Sequence, residues 1–120
     1  MWQAEVRIDL DAIRDNVALL RGTTTAEVMA VVKGDRTIVA TPAGEVWANP
    51  TGSSALATAG SGDVLAGLLG SLLAAGVPPE RAAIMAAYAH GLAGRLAAEG
   101  GPVTAPDVAA ALRPMLADLL

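Results

Sequence analysis

The chain has no cysteine and no phenylalanine, and it carries one tyrosine, one histidine and two tryptophans among 120 residues. The missing cysteine excludes disulfides and thiolate metal sites. With aromatics at 2%, the core has to be built from Ala, Leu and Val, and small side chains let helices approach closely. The single histidine, His90, has no partners at metal-ligand spacing and reads as a packing or hydrogen-bonding residue. Positive charge is scarce: 8 Lys and Arg stand against 12 Asp and Glu, for a formal net charge of −4. That excludes the basic stripe of a nucleic-acid-binding surface but leaves room for a local anion site made of backbone N–H groups. Long apolar runs are also lacking. The longest, VLAGLLGSLLAAGV at residues 64–77, has 14 residues, whereas a membrane span needs about 20. No basic segment followed by an apolar one opens the chain, so the expectation is a soluble, cytoplasmic protein without a membrane partner.

An apolar fraction of 53% fits a folded chain, and 120 residues fit one domain, 1–120. AEVRIDL (4–10) alternates apolar and charged residues, as a strand with one wet face does. Over 9–22, Leu10, Ile13, Val17 and Leu20 step by three and four and predict a helix, with Asp9 or Asp11 as its cap and Asp15 further along its acidic side. EVMAVVK (27–33) is a nearly continuous apolar run, expected as a strand buried on both faces. TIVATPAGEVWAN (37–49) predicts two strands around a Pro-Ala-Gly turn.

The second half is helical in pattern. Residues 62–75 present Val64, Leu65, Leu68, Leu69, Leu72 and Leu73 on one wide face, and Gly76 with Pro78-Pro79 ends the run. The next helix spans Pro79 to about Glu99, with Ile84, Tyr88, Leu92 and Leu96 along one stripe. Ala83, Ala87, Gly91 and Gly94 lie on another face, which would let a neighbour come close. Thr104 and Asp107 resemble a capping box with Asp in place of Glu or Gln, and Val108, Leu112, Met115 and Leu119 form the last stripe. Met29, Met85 and Met115 are expected as core fillers, and Trp2 and Trp47 as core or interface. The fold class is therefore α/β: a small layered sheet, made of a parallel strand–helix–strand unit plus a hairpin, covered by three C-terminal helices. Its open edges favour a homo-oligomer, a dimer in the simplest case.

TAGSGDVLAG (58–67) is the segment most able to carry chemistry. Gly60 and Gly62 flank Ser61 just before a strong helix. Glycine permits φ > 0 and close approach of a ligand to backbone N–H groups, and a helix N-terminus attracts anions. The alternative is a tight turn with Asp63 capping the helix. Over residues 33–112 the chain resembles the C-terminal part of the ADP/ATP-dependent NAD(P)HX dehydratases, a family with a ribokinase-like fold. The likeness rests on Lys33-Gly34 before a hairpin, Asn49-Pro50, Ala57-Thr58-Ala59-Gly60-Ser61-Gly62-Asp63, and Tyr88 with His90-Gly91 on the following helix. Ser53-Ser54-Ala55 departs from the Gly/Pro-containing loop usual there. The resemblance implies a partial ribokinase-like fold. It places Lys33 and Gly34 near nucleotide phosphates, and Thr58, Gly60, Ser61 and Gly62 in an anion hole. Asp63 would be the catalytic base, and ADP or ATP the cofactor, with Mg2+ as a candidate accompanying ion.

Residues 4–33 resemble a different family. Asp9-Leu10-Asp11-Ala12-Ile13, Asn16 and then Val31-Val32-Lys33 are similar to the N-terminal strand–helix–strand of alanine racemase. There the lysine at the strand end binds pyridoxal phosphate. The rest of the racemase pattern is absent, so neither pyridoxal phosphate nor racemase activity is expected. The two resemblances meet at Lys33 and describe a chimera: a racemase-like segment to residue 33 and a dehydratase-like segment from 34 to 120. Three functions stay open: a nucleotide-phosphate-binding relative without full catalysis, a recombined or engineered chain that only folds and oligomerises, and an active dehydratase.

Overall fold

The computed structural model describes residues 10–23, 30–32 and 36–119. Helix α1 covers Leu10–Thr23, followed by strands β1 (Ala30–Val32), β2 (Ile38–Ala40) and β3 (Val46–Ala48). Helices α2 (Ser61–Ala74), α3 (Pro79–Ala98) and α4 (Ala105–Leu119) complete the chain. The strands form one sheet in the order β1-β2-β3 with both pairings antiparallel. The strand expected at 4–10, which would supply a parallel pairing, lies outside the described residues, as do Trp2, Asp9 and Met29. The hairpin and the three C-terminal helices stand as expected.

The hairpin turn is closed by its own chemistry. The Thr41 amide donates to the Glu45 carbonyl at 2.9 Å and the Gly44 amide to the Thr41 carbonyl at 3.0 Å. Gly44 sits at φ +89, where a Cβ would be strained. At the far end of α2, the Val77 amide reaches back to the Leu72 carbonyl at 3.1 Å and the Gly76 amide to Leu73 at 3.0 Å. With Gly76 at φ +83, this is a Schellman motif, and it stops the helix where Gly-Val-Pro-Pro predicts a stop.

The arrangement turns on α3, whose small residues admit close neighbours as their spacing suggests. The buried face of α3 is the small-residue face: Ala82, Ala83, Ala86, Ala87, Ala89 and Ala93 are all buried. The large-residue stripe lies at the margin, with Ile84, Leu92 and Leu96 half-buried and Tyr88 42% exposed. Met85, expected in the core, is 50% exposed. The reason is crowding: α3 is contacted at once by β2, α2, α4 and the loop after β3, and only small side chains let so many neighbours approach. Val39 of β2 packs on Ala83 and Ala87. Val108, Ala111 and Met115 of α4 pack on Ala89 and Ala93. Leu73 of α2 also stays exposed, because the face that α2 buries is narrower than its apolar composition suggests.

The loop after β3 makes the closest approach. A Cβ on Gly91 would strike the Thr51 side chain and stand 2.6 Å from the Thr51 carbonyl oxygen. One on Gly94 would stand 2.5 Å from a methyl of Leu56. We expect Gly91→Ala to destabilise the fold by about 3 kcal/mol, the upper end of overpacking costs, because Thr51 backbone has to move. Gly94→Ala meets the buried Leu56 side chain, its Cγ included at 2.7 Å, but no backbone, and should cost less, about 2 kcal/mol. Urea midpoints of the two variants would check the order.

The N-terminus of α4 carries one arm of the expected box, the reach of the Asp107 side chain back to Thr104. The Thr104 amide donates to Asp107 Oδ2 at 2.9 Å, and the Thr104 hydroxyl donates to the same oxygen at 2.6 Å. The hydroxyl bond first, and the amide bond second, hold the Asp107 carboxyl below the ordinary carboxylate range. A carboxyl depressed by folding stabilises the fold above its unfolded pKa, and this contribution fades as pH falls through the folded value. Asp107→Asn should therefore flatten the acid limb of the stability–pH curve, measured by urea unfolding from neutral pH downward.

Candidate functional site

The segment from Asn49 to Gly60 carries the chain from the sheet to the start of α2, and α3 holds it in place. Asn49 Nδ2 donates to the Ala87 carbonyl at 2.9 Å, and Asn49 Oδ1 accepts from the Thr51 amide at 3.3 Å. The Thr51 hydroxyl lies 2.9 Å from both Asn49 Oδ1 and the Tyr88 carbonyl. Its one proton can serve either acceptor. Arg95 Nη2 donates to the Pro50 and Gly52 carbonyls at 3.0 and 3.3 Å. A short 3-10 turn at Ser54–Leu56 follows, capped by Ser53 Oγ accepting from the Ala55 amide at 3.2 Å. Its Leu56 enters the α3–α4 core.

Gly60 then reverses the chain at φ +83, ψ −9, a left-handed residue at the N-cap of α2 with no side-chain cap. The helix therefore begins with its amides unshielded by a side chain. The Ser61 amide donates to the Thr58 carbonyl at 3.3 Å, and the Asp63 and Val64 amides donate to the Gly60 carbonyl at 3.0 and 3.3 Å. The Gly62 amide has no acceptor among the described residues. A free amide on a helix N-terminus, on a residue that has no side chain of its own, is a place where an anion oxygen can sit. Gly60, Gly62 and Asp63 are exposed and Thr58 is half-buried.

The candidate residues thus divide. Thr58, Gly60, Gly62 and Asp63 meet on one exposed turn. Ser61 occupies the same turn, but its side chain is fully buried, and its hydroxyl donates to the Leu56 carbonyl at 2.6 Å. That hydroxyl anchors the turn from beneath and is turned away from the surface where an anion would bind. Asp63 stands in the first turn of α2, where the helix dipole favours a carboxylate, and it has no hydrogen-bond or ion-pair partner among the described residues. Lys33 and Gly34 lie outside the described residues. No group of three or more potential metal ligands occurs among the described residues, and none of the described helices is long and apolar enough to cross a membrane.

The sequence reading missed a second feature. Beside the loop is an open cleft of about 460 Å3 lined by Arg36, Asn49, Gly52 and Arg95, with no carboxylate among its described lining. Arg95 was hidden because its partners lie 43 and 45 residues away in the chain. Arg36, two residues beyond Gly34, was the signal available.

The NAD(P)H-hydrate dehydratase family profile matches residues 12–113. The chain belongs to the NAD(P)H-hydrate dehydratase family. It is 40% identical over 111 residues to the ADP-dependent (S)-NAD(P)H-hydrate dehydratase of Neisseria meningitidis, covering 92% of this chain and 36% of that protein. It is 52% identical over 90 residues to the bifunctional NAD(P)H-hydrate repair enzyme Nnr of Gloeobacter violaceus, covering 72% of this chain and 18% of that one. Among solved structures, Bacillus subtilis YxkO superposes with a TM-score of 0.74 at 26% identity, over 94% of this chain and 44% of that chain. The chain thus spans about a third of the length of the Neisseria relative. The match to this dehydratase family begins at residue 12, well ahead of the boundary expected at residue 33.

Ser61→Ala should remove a buried hydrogen bond and cost about 1 kcal/mol of stability. Because its hydroxyl faces inward and acts only by bracing the turn, the substitution should weaken phosphate binding at the turn by no more than about fivefold, the equivalent of that hydrogen bond. Urea unfolding and phosphate titration by NMR would read the two effects separately.

Proposed function

We propose that this chain carries the nucleotide-phosphate-binding portion of an NAD(P)H-hydrate dehydratase, centred on the turn Gly60–Asp63. The observation that carries the reading is the Gly62 amide, without an acceptor among the described residues, at the uncapped N-terminus of α2. Gly60 and Gly62 leave the amides open to a phosphate, and Thr58 flanks them. Lys33 and Gly34 join this site by the family resemblance. Bound ADP or ATP, with Mg2+ where required, supplies the phosphoryl chemistry. Asp63, exposed and unpaired among the described residues, takes the proton from the hydroxyl of the hydrate. Phosphoryl transfer depends mostly on positioning and electrostatics. The carboxylate therefore needs a substrate held against it, and in this reading that hold comes from the additional length of the relatives. The site on this chain binds; turnover depends on what completes it. The racemase-like segment serves as scaffold, since a lysine at a strand end without a phosphate grip and an opposing acid is no racemase.

Thermal unfolding with ADP, ATP or inorganic phosphate tests this at fixed protein concentration. A ligand at about 100 times its Kd should add roughly 2.7 kcal/mol. The shift should appear in the wild type, persist in Asp63→Asn and disappear in Gly62→Val, whose side chain would stand where the anion binds. No shift in the wild type overturns the binding reading. ADP- or ATP-dependent loss of an NAD(P)H hydrate, abolished by Asp63→Asn, would instead show that this chain alone completes the reaction.

A further inference from the structure

We propose that Arg36 and Arg95 form a binding site for a small-molecule phosphate monoester, in the cleft beside Asn49 and Gly52. The site is separate from the Gly60–Asp63 turn and does not rest on the nucleotide reading. Charge is the first argument. The chain has 8 Lys and Arg and a net charge of −4, yet two of those cations line one cleft of about 460 Å3 whose described lining has no carboxylate. That volume falls in the range of small-molecule sites, about 300–1,000 Å3. Neither guanidinium has an ion-pair partner among the described residues. Two positive charges on one cleft repel each other, and an anion between them turns that repulsion into attraction. A phosphate monoester carries a charge of about −1.5 to −2 at neutral pH and three strong acceptor oxygens. It balances both guanidinium groups, whereas a single carboxylate balances one.

The donors are already placed. Arg95 Nη2 donates to the Pro50 and Gly52 carbonyls. These bonds hold the guanidinium against the loop, and they engage two carbonyl oxygens that would otherwise repel an anion. The N–H groups on Nη1 and Nε have no acceptor among the described residues. Arg36 is exposed, and its side chain makes no hydrogen bond among the described residues. A backbone donor joins them. The half-buried Gly52 lines the same cleft, and its amide has no acceptor among the described residues. Guanidinium groups together with a backbone amide are a donor set by which proteins hold phosphate.

The neighbouring surface sets the class of ester. Ala48, Asn49 and Pro50 line this cleft and also border a small apolar one of about 110 Å3 with Trp47 and Tyr88. Tyr88 and Arg95 both lie on α3, and their spacing in sequence, about two helical turns, puts them on one side of it. The two clefts therefore follow each other along that side of the helix. An ester whose phosphate meets the guanidinium groups has room for an aromatic ring beside Trp47 and Tyr88, which are 50% and 42% exposed. Ring-on-ring contact favours such an ester over the free phosphate ion.

Titration of the full 15N-labelled chain with phenyl phosphate, followed by NMR, tests this. The Gly52 amide and arginine Nε resonances should shift and saturate, with an affinity about threefold or more above that of inorganic phosphate. Arg36→Gln should weaken this binding by about fivefold or more, and Arg95→Gln should do the same. If Arg95→Gln loosens the loop, Arg36→Gln decides, because that side chain has no partner to lose among the described residues. Arg113→Gln removes an exposed charge on α4 that does not line the cleft, and it should leave the affinity within about twofold. Absence of saturation at Gly52, or an equal response to sodium chloride at matched ionic strength, overturns the proposal. So does saturation at the Gly62 amide alone, which would be binding at the turn. An affinity indifferent to Arg36→Gln, an equal loss in Arg113→Gln, or inorganic phosphate binding as tightly as phenyl phosphate also overturns it.

Discussion

The contact on which the rest depends is the approach of Asn49–Thr51 to α3 at Gly91. Asn49 reaches the Ala87 carbonyl, where its amide has an acceptor deep in the helix layer. Thr51 lies so close to Gly91 that any side chain there would strike its backbone. This one approach joins the sheet layer to the helix layer and fixes where the loop runs. Everything downstream follows from that position: Leu56 enters the core, and Ser61 bonds to its carbonyl. Gly60 then turns the chain so that α2 begins at the surface.

The consequence is a division of labour along the stretch from Asn49 to Asp63. The buried polar groups, Asn49, Thr51 and the Ser61 hydroxyl, are committed to holding the turn. The exposed ones, the Gly62 amide and the Asp63 carboxylate, are left uncommitted among the described residues. A rigid support beneath an open helix N-terminus is what phosphate recognition requires, because affinity there comes from amides already aimed at the anion. A carboxylate alone in the first turn is stabilised by the same dipole. The glycines keep both groups accessible.

The small size of the sheet sets the other constraint. Three strands of three residues each offer little area to bury, and the helices cover one face through alanine. Alanine brings α3 close but removes little apolar surface from water. Large apolar groups on β3 and the rim of α3 therefore remain at the surface. In a family whose relatives are considerably longer, that surface calls for a cover.

Much of this was legible in the sequence. The three C-terminal helices followed from 3.6-residue spacing, and their ends from Gly76 with Pro78-Pro79 and from Thr104 with Asp107. Pro42-Ala43-Gly44 announced the hairpin, and Gly60-Ser61-Gly62-Asp63 announced the turn before α2, because such signals are local: they depend on what a residue's own backbone can adopt. The stripe Ile84-Tyr88-Leu92-Leu96 shares a face but stays at the margin, since periodicity marks which side chains share a face and not which face the neighbours need. Which of Ser61 and Gly62 would face solvent, that Met85 would stay outside, and that Arg36 and Arg95 would line one cleft depended on partners tens of residues distant. The sequence by itself determined the elements and the chemistry available at their ends; the tertiary structure decided which groups were spent on packing and which stayed free, because burial is set by what comes from elsewhere in the chain.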